Sequence, residues 1–274
     1  MITVFTPIQA GFSGARNARK PGQPPNIRQG VVSSLITWDR QTIGRYIDAS
    51  SYTGFHKALA QKIVPYLEPE DRLLDLGCGL GKLDIEMAPY VSDITAVDIS
   101  DSAISALRRD ITLSGLKNLH ARRCDVSKVT GRFDVVFLSF FGRPKISDLL
   151  DLCNRRIIRI VSAGKKSALY PEKRRRKAKI DVTFIQEELL SLGIDHKMEL
   201  CSLEFGQPLR TRRDAELFVL SNAPESEPEE INDFLSENLE HTGREDFPFY
   251  LPYRKELGIF VIDKDRDQGL GIRD

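Results

Sequence analysis

Leu73 to Lys82 reads LLDLGCGLGK. An apolar run carrying one carboxylate, Asp75, meets three glycines at Gly77, Gly79 and Gly81 and passes into a helical pattern. That order predicts a strand, a tight loop and a helix, the opening unit of a nucleotide-binding α/β sheet. Glycine lacks Cβ, so such a loop turns sharply and its backbone comes close to a ligand. The spacing narrows the ligand. Lys82 stands where a dinucleotide-binding G-x-G-x-x-G loop needs a small residue for close helix packing. A Walker phosphate loop is excluded too, because the four-residue spacing and the Ser or Thr after the lysine are missing.

Around this stretch, apolar runs alternate with helical patterns. Strands are expected at Ile94 to Val97, Leu119 to Arg123, Phe133 to Phe140, Ile157 to Val161, Met198 to Leu203 and Leu257 to Ile262. FDVVFLSF, from Phe133 to Phe140, is apolar enough for a central parallel strand covered on both faces. Helices are expected over Leu83 to Tyr90, from an N-cap at Ser100 to a stop at Gly115, near Ser147 to Cys153, over Val182 to Leu192 between Asp181 and Gly193, and over Arg213 to Leu220. Ser226-x-x-Glu229 has the form of a capping box ahead of Ile231, Phe234, Leu235 and Leu239. Upstream, Leu59, Ile63 and Leu67 recur at helical spacing, and Pro65 is placed to bend the last turn. The alternation predicts an α/β fold, a doubly wound, mostly parallel seven-stranded sheet with helices on both faces and an N-terminal helical lead-in.

The chain has 274 residues, 41% hydrophobic and 29% charged, as expected of a folded, water-exposed protein. No apolar window is long enough to span a bilayer, and no membrane partner is expected. The apolar start of the N-terminus precedes its cationic residues, the reverse of a secretory signal, so a cytoplasmic location is expected. Cys78, Cys124, Cys153 and Cys201 form no C-x-x-C pair, and neither a metal site nor a disulfide framework is expected. The net charge of +1 gives no global attraction to nucleic acid, but charge is unevenly spread. Residues 155–179 are strongly basic, ending in the run Lys173, Arg174, Arg175, Arg176 and Lys177, whereas residues 225–246 carry nine acids against the single base Arg244.

Three carboxylates follow three successive strands: Asp75, Asp98 and Asp125. All fall on the carboxyl edge of the sheet, where open α/β sheets bind ligands. Asp75 suits a cationic amino-acid group, Asp98 a pair of ribose hydroxyls, and Asp125 an adenine amine. In this pattern DLGCGLG (Asp75 to Gly81), AVDIS (Ala96 to Ser100), RCDV (Arg123 to Val126) and FDVVFLSF, the chain resembles the seven-stranded class I S-adenosylmethionine-dependent methyltransferases. The resemblance implies S-adenosylmethionine as cofactor and an antiparallel last strand at Leu257 to Ile262. It also implies a cofactor site of Asp75, Gly77, Cys78, Gly79, Gly81, Asp98, Ile99, Asp125, Val126 and Ser139. Composition and this resemblance together divide the chain into a mobile arm at 1–36, a helical lead-in and candidate lid at 37–69, and a methyltransferase domain at 70–274 with an acidic helical insertion at about 223–246.

The acceptor is less legible. After the fourth strand the chain reads Ser139-Phe140-Phe141-Gly142, where methyltransferases acting on the amino groups of bases often show an Asn/Asp-Pro-Pro-aromatic motif. With the near-neutral charge, this favours a small soluble acceptor, with Tyr46, Phe140, Phe141 and Tyr170 on the substrate side and Trp38, Tyr46 and Tyr52 as lid aromatics. A sulfonium methyl is already activated, so a general base is needed only for an acceptor that must lose a proton. No catalytic residue is assigned; His56, Tyr52 and His196 are the candidates by type. Two other readings stand beside this one: an RNA methyltransferase using Lys173 to Lys177 as a phosphate contact, and a cofactor-binding protein without turnover.

Overall fold

The computed structural model describes residues 37–142, 144–164, 169–171 and 180–264. The N-terminal arm expected at 1–36 and the run Lys173 to Lys177 lie outside them.

Two helices lead into the sheet. Asp39 caps α1 (Arg40–Thr53) by accepting from the Thr42 amide at 2.7 Å, and Gly54, at φ 65°, turns the chain into α2 (Phe55–Ile63). Val64 to Tyr66 then tightens into a 3-10 turn around Pro65. The alternation that follows is β1 (Arg72–Leu76), α3 (Lys82–Met87), β2 (Asp93–Asp98), α4 (Asp101–Ser114), β3 (Leu119–Arg123), β4 (Phe133–Ser139), α5 (Ile146–Leu149) and β5 (Cys153–Ser162). Then come α6 (Val182–Leu192), β6 (Lys197–Glu204), β7 (Gln207–Leu209), α7 (Arg212–Asn222), α8 (Pro228–Asn238), β8 (Glu240–His241), β9 (Phe249–Leu251) and β10 (Arg254–Asp263).

The main sheet has seven strands in the order β3-β2-β1-β4-β5-β10-β6. β1 to β5 pair in parallel, and β10 inserts antiparallel between β5 and β6. The side-chain period of two sends the apolar strand residues to two separate cores. Leu73, Val135, Phe137, Ile158 and Ile259 meet α2 and α3 through Phe55, Leu59, Ile63 and Met87. Leu74, Leu76, Val136, Leu138 and Ile157 face the opposite way onto Ile146 and Leu149 of α5 and Ile185 and Leu189 of α6. The expected doubly wound sheet with an antiparallel last strand is therefore the observed one, and Ser100, Gly115, Asp181 and Gly193 cap the helices assigned to them.

The structure corrects two expectations, the fifth helix and the capping box, and adds detail to two further readings. The helix placed near Ser147 to Cys153 is a single turn, because Cys153 already pairs with Phe133 as the start of β5. The basic stretch from 155 begins inside that strand. Arg155 pairs with Asp71 and Glu68, Arg156 with Asp263, and buried Arg159 with Glu188 and the Pro144 carbonyl, so these cations are committed to the fold. The capping box fails: Glu227 occupies the N-cap of α8, Pro228 its first turn, and the Ser226 hydroxyl is buried without a hydrogen-bond partner. Finally, the acidic segment is one part of a small α/β unit. β7, β9 and β8 form a three-stranded sheet, and Leu209, Phe218, Val219, Phe234, Leu235 and Leu251 bury the apolar faces of α7 and α8 against it.

Gly81 illustrates how tightly the opening unit packs. At φ 59° it caps α3, and a Cβ there would lie 2.5 Å from the Leu107 side chain of α4. Left-handed strain and overpacking together predict that Gly81→Ala costs about 2 to 4 kcal/mol. Urea unfolding measures this; an unchanged midpoint would contradict the packing role.

Candidate functional site

The order of the sheet reverses between β1 and β4, and a cavity of about 650 Å³ opens at the carboxyl edge there. The β1 to α3 loop forms one wall. The amides of Gly77 and Cys78 both donate to the Val97 carbonyl at 2.8 and 3.0 Å, tying the loop to β2. Gly77 and Gly79 take positive φ of 81° and 54°. A Cβ on Gly77 would meet Phe141 at 2.4 Å, and one on Gly79 would meet Trp38 at 2.9 Å, so these two rings occupy the space that glycine leaves. Gly81 is not on the cavity wall; its missing Cβ serves Leu107.

Asp75 lines the cavity from the end of β1 and is nearly buried, with Oδ1 unpartnered. Behind it Asp84 of α3 is fully buried, and neither of its carboxylate oxygens receives a donor from the rest of the protein. Burial pushes Asp84 up to about 7, against a lowering hydrogen bond with Asp75, while burial first, then Asp84 and Asp98, hold Asp75 well above its ordinary value. The pair therefore retains a proton near neutral pH, which lets one carboxyl donate to the other. A cation arriving from the cavity would supply the charge that this pair lacks.

Asp98, at the end of β2, accepts from the Gly79 amide at 2.9 Å and the Ser100 amide at 2.8 Å, one on each oxygen. Each carboxylate oxygen has a second lone pair, so the fixed group can also accept two ligand hydroxyls. Asp125 accepts from both the amide and the hydroxyl of Ser127. Cys78, Ile99, Val126 and Ser139 complete this part of the wall.

The other end of the cavity is lined by Tyr46 of α1, His56 of α2, Phe140 and Phe141 after β4, and Lys255 of β10. α1 is held in place where Trp38, Ile43, Tyr46 and Ile47 pack on Leu80, Ala103 and Ala106. His56 is buried, and its ring nitrogens meet the Tyr46 hydroxyl at 2.8 Å and the Ser50 hydroxyl at 2.7 Å. Burial, with Lys255 and Lys82 adding repulsion, drops its pKa to about 3, so the ring is neutral. Burial first and Asp75 second raise the Tyr46 phenol, which stays protonated. Lys255 was not singled out from the sequence. It lies two residues before Leu257, on the face continued by Ile259 and Val261, and that alternation is the signal that marks it.

Besides Gly81, three residues named from the sequence do not line the cavity. Tyr52 stacks on Tyr250, with ring centroids 4.9 Å apart, beneath the Arg244 guanidinium. His196 lies beside Phe260, at a centroid distance of 5.7 Å, and Tyr170 packs against the core of the small α/β unit.

Residues 67–165 match a family profile described as "Methyltransferase domain". Residues 67–165 are thus similar to a methyltransferase domain, and the seven-stranded sheet is consistent with that likeness. That likeness implies S-adenosylmethionine as cofactor, and the unpartnered Oδ1 of Asp75 and the anchored Asp98 fit that group. A Methanococcus maripaludis protein named as a probable cobalt-precorrin-6B C(15)-methyltransferase (decarboxylating) is 30% identical over 97 residues, covering 34% of this chain and 51% of that protein. The 23S rRNA (uracil(1939)-C(5))-methyltransferase RlmD of Marinomonas posidonica is 34% identical over 80 residues, 28% of this chain and 18% of that protein. The chain thus spans about half the length, or less, of these curated relatives. The crystal structure of a SAM-dependent methyltransferase from Aquifex aeolicus superposes with a TM-score of 0.50 at 13% identity, over 82% of this chain and 99% of that one, which establishes a common fold. Among the described residues no helix is long and apolar enough to cross a membrane.

The Asp75 and Asp84 pair makes a stability prediction. With folded pKa values raised, the native state holds a proton that the unfolded chain has lost, so the pair's stabilising effect is present at low pH and fades as pH rises from about 4 through about 7. Asp84→Asn should raise the thermal midpoint by a few degrees at pH 7.5 and by much less at pH 4.5. A lower midpoint at pH 7.5, read by calorimetry, would contradict the unpaired state of these carboxyls.

Proposed function

We propose that the protein is an S-adenosylmethionine-dependent methyltransferase that acts on a small acceptor. The cofactor supplies a methyl group on a sulfonium, already activated toward a nucleophile. In this reading Asp75 takes the ammonium of the cofactor's amino-acid part, Asp98 its ribose hydroxyls, and Asp125 with Val126 its adenine; Gly77, Cys78, Gly79, Ile99 and Ser139 supply the surrounding wall. The observation that carries the reading is the polarity of one continuous cavity. Its carboxylates gather at the ends of β1, β2 and β3, while aromatic rings and an amine gather at the ends of β4 and β10.

The residues of the second end position and dry an acceptor more readily than they move a proton. His56 is neutral and has both nitrogens engaged, so its role is to hold Tyr46 against the cavity. Tyr46, Phe140 and Phe141 exclude water around the transferred group, and alignment in a dry site supplies the rate enhancement. Tyr52 and His196 have no place in this arrangement. Helices α1 and α2 wall the acceptor end, which favours a small molecule over a polynucleotide. The RNA reading keeps two supports of its own, the basic run Lys173 to Lys177 and the rRNA-modifying relative.

Calorimetric titration with S-adenosylmethionine tests the cofactor assignment. Loss of two charge-assisted hydrogen bonds predicts that Asp98→Ala weakens binding about tenfold to hundredfold or more. No binding by the intact protein, or an Asp98→Ala variant indistinguishable from it, would reject the reading. Neutralising Lys173 to Lys177 separates the acceptors. Salt-insensitive transfer to a small molecule that survives this change supports the first, and transfer to RNA that collapses with it supports the second.

A further inference from the structure

β10 runs antiparallel to its neighbours, so its first residues reach the carboxyl edge of the sheet, where the parallel strands end. Lys255 is carried there opposite Leu203 of β6. Its ammonium sits 3.4 Å from the centroid of the Phe140 ring, 5.4 Å from that of Phe205 and 5.7 Å from that of Phe55. Aromatic faces attract a cation but supply no opposing charge. The other lysine on the cavity wall, Lys82, is already paired with Asp110 at 2.7 Å. Lys255 has no salt bridge among the described residues, and burial alone governs its protonation.

Phe140 adds an independent mark of function at the same point. At φ 53° it is the only non-glycine with positive φ among the described residues. Strained backbone of this kind costs about 1 to 2 kcal/mol and persists where surrounding contacts hold it, often at binding sites. Here its amide donates to the Ile160 carbonyl at 2.9 Å, while its ring lies against Lys255.

We propose that Lys255 is the acceptor-binding residue and that the acceptor is a small organic anion, whose carboxylate or ionised hydroxyl pairs with the Lys255 ammonium. The inference rests on reading the carboxylate end of the cavity as the S-adenosylmethionine site. That end already carries Asp75, Asp98 and Asp125, so an anionic acceptor is steered to the opposite end. Poor hydration among three aromatic rings strengthens a charge-assisted bond made there. Burial lowers the Lys255 amine to about 8, which leaves it mostly charged at pH 7 and suits it to hold an anion rather than to remove a proton. Beyond Asp39, Asp98, Asp125, Cys124 and Lys82, the titratable groups on the same cavity wall are His56 on α2, Tyr46 on α1, and Asp75 and Cys78 on β1 and its loop. His56 stays neutral, Tyr46 and Cys78 are held protonated by burial, and Lys82 is ion-paired. On β6, Glu204 is taken by the Tyr250 hydroxyl and Arg254.

The test uses the full chain saturated with S-adenosylhomocysteine. It is titrated calorimetrically with salicylate, 4-hydroxybenzoate and phenylpyruvate and, in parallel, with their neutral amides. At least one acid should bind about tenfold or more tightly than its amide. Lys255→Met, whose side chain suits the aromatic surround, should erase that preference. In the unmodified protein the preference should fall as pH rises from 7 to 9, a readout that does not depend on the variant folding. Equal binding of acids and amides, no binding of any acid, or a preference that survives either Lys255→Met or the rise in pH would overturn the proposal. Affinity for S-adenosylhomocysteine, measured on the same samples, separates the two levels. Its absence in the unmodified protein defeats the cofactor reading, whereas its presence without an acid preference defeats only the role of Lys255.

Discussion

The Val97 carbonyl holds the site together. β1 and β2 run in parallel register with Leu76 opposite Val97, and the next two amides, those of Gly77 and Cys78, close on that one oxygen. Because the chain must turn immediately after β1, Gly77 adopts a left-handed conformation, and so do Gly79 and Gly81. The same register brings Asp98 beneath the loop, where it accepts from Gly79 and from Ser100 at the start of α4. Two hydrogen bonds to one carbonyl and two to one carboxylate thus place the loop, both following helices and two of the three strand-end acids.

From that fixed point the cavity acquires its polarity. Acids arrive on the ends of parallel strands, and the lysine that has no salt bridge among the described residues arrives on the strand that runs the other way. The fold leaves Asp75 and Asp84 without a donor, a costly arrangement for buried groups unless they share a proton or meet a cation. At the opposite end it leaves a lysine among rings without a carboxylate. Both local deficits face the same space, and a cationic cofactor with an anionic acceptor would remedy both.

Much of this was legible in the sequence, for physical reasons that differ by element. β3 falls where its apolar and polar residues alternate, and Ser100, Gly115, Asp181 and Gly193 mark helix ends because cap chemistry is local. The strand-end acids are readable because each follows an apolar run directly. What failed to show depends on partners distant in sequence. β7, β8 and β9 are two or three residues long, too short for any period, and exist only through pairing with one another. Ser226 loses the cap to Glu227 because Pro228 fixes the first turn one residue later. β10 begins at Arg254 instead of Leu257 because β6 extends the ladder over a charged triplet that resembles a turn, which concealed Lys255. Tyr52, His196 and Tyr170 are candidates by residue type, and type alone does not say which side of a helix or sheet a ring faces.

On the proposed reading, the carboxylate end of the cavity holds S-adenosylmethionine and the β10 end holds the acceptor. A crystal structure of the complex with S-adenosylhomocysteine tests this most directly. The expected complex has the ligand's amino group at Asp75, its ribose on Asp98, its adenine beside Asp125 and Val126, and its sulfur toward Phe140 and Lys255. A ligand bound in the reverse direction, or one that leaves Asp75 without a cationic partner, would contradict it.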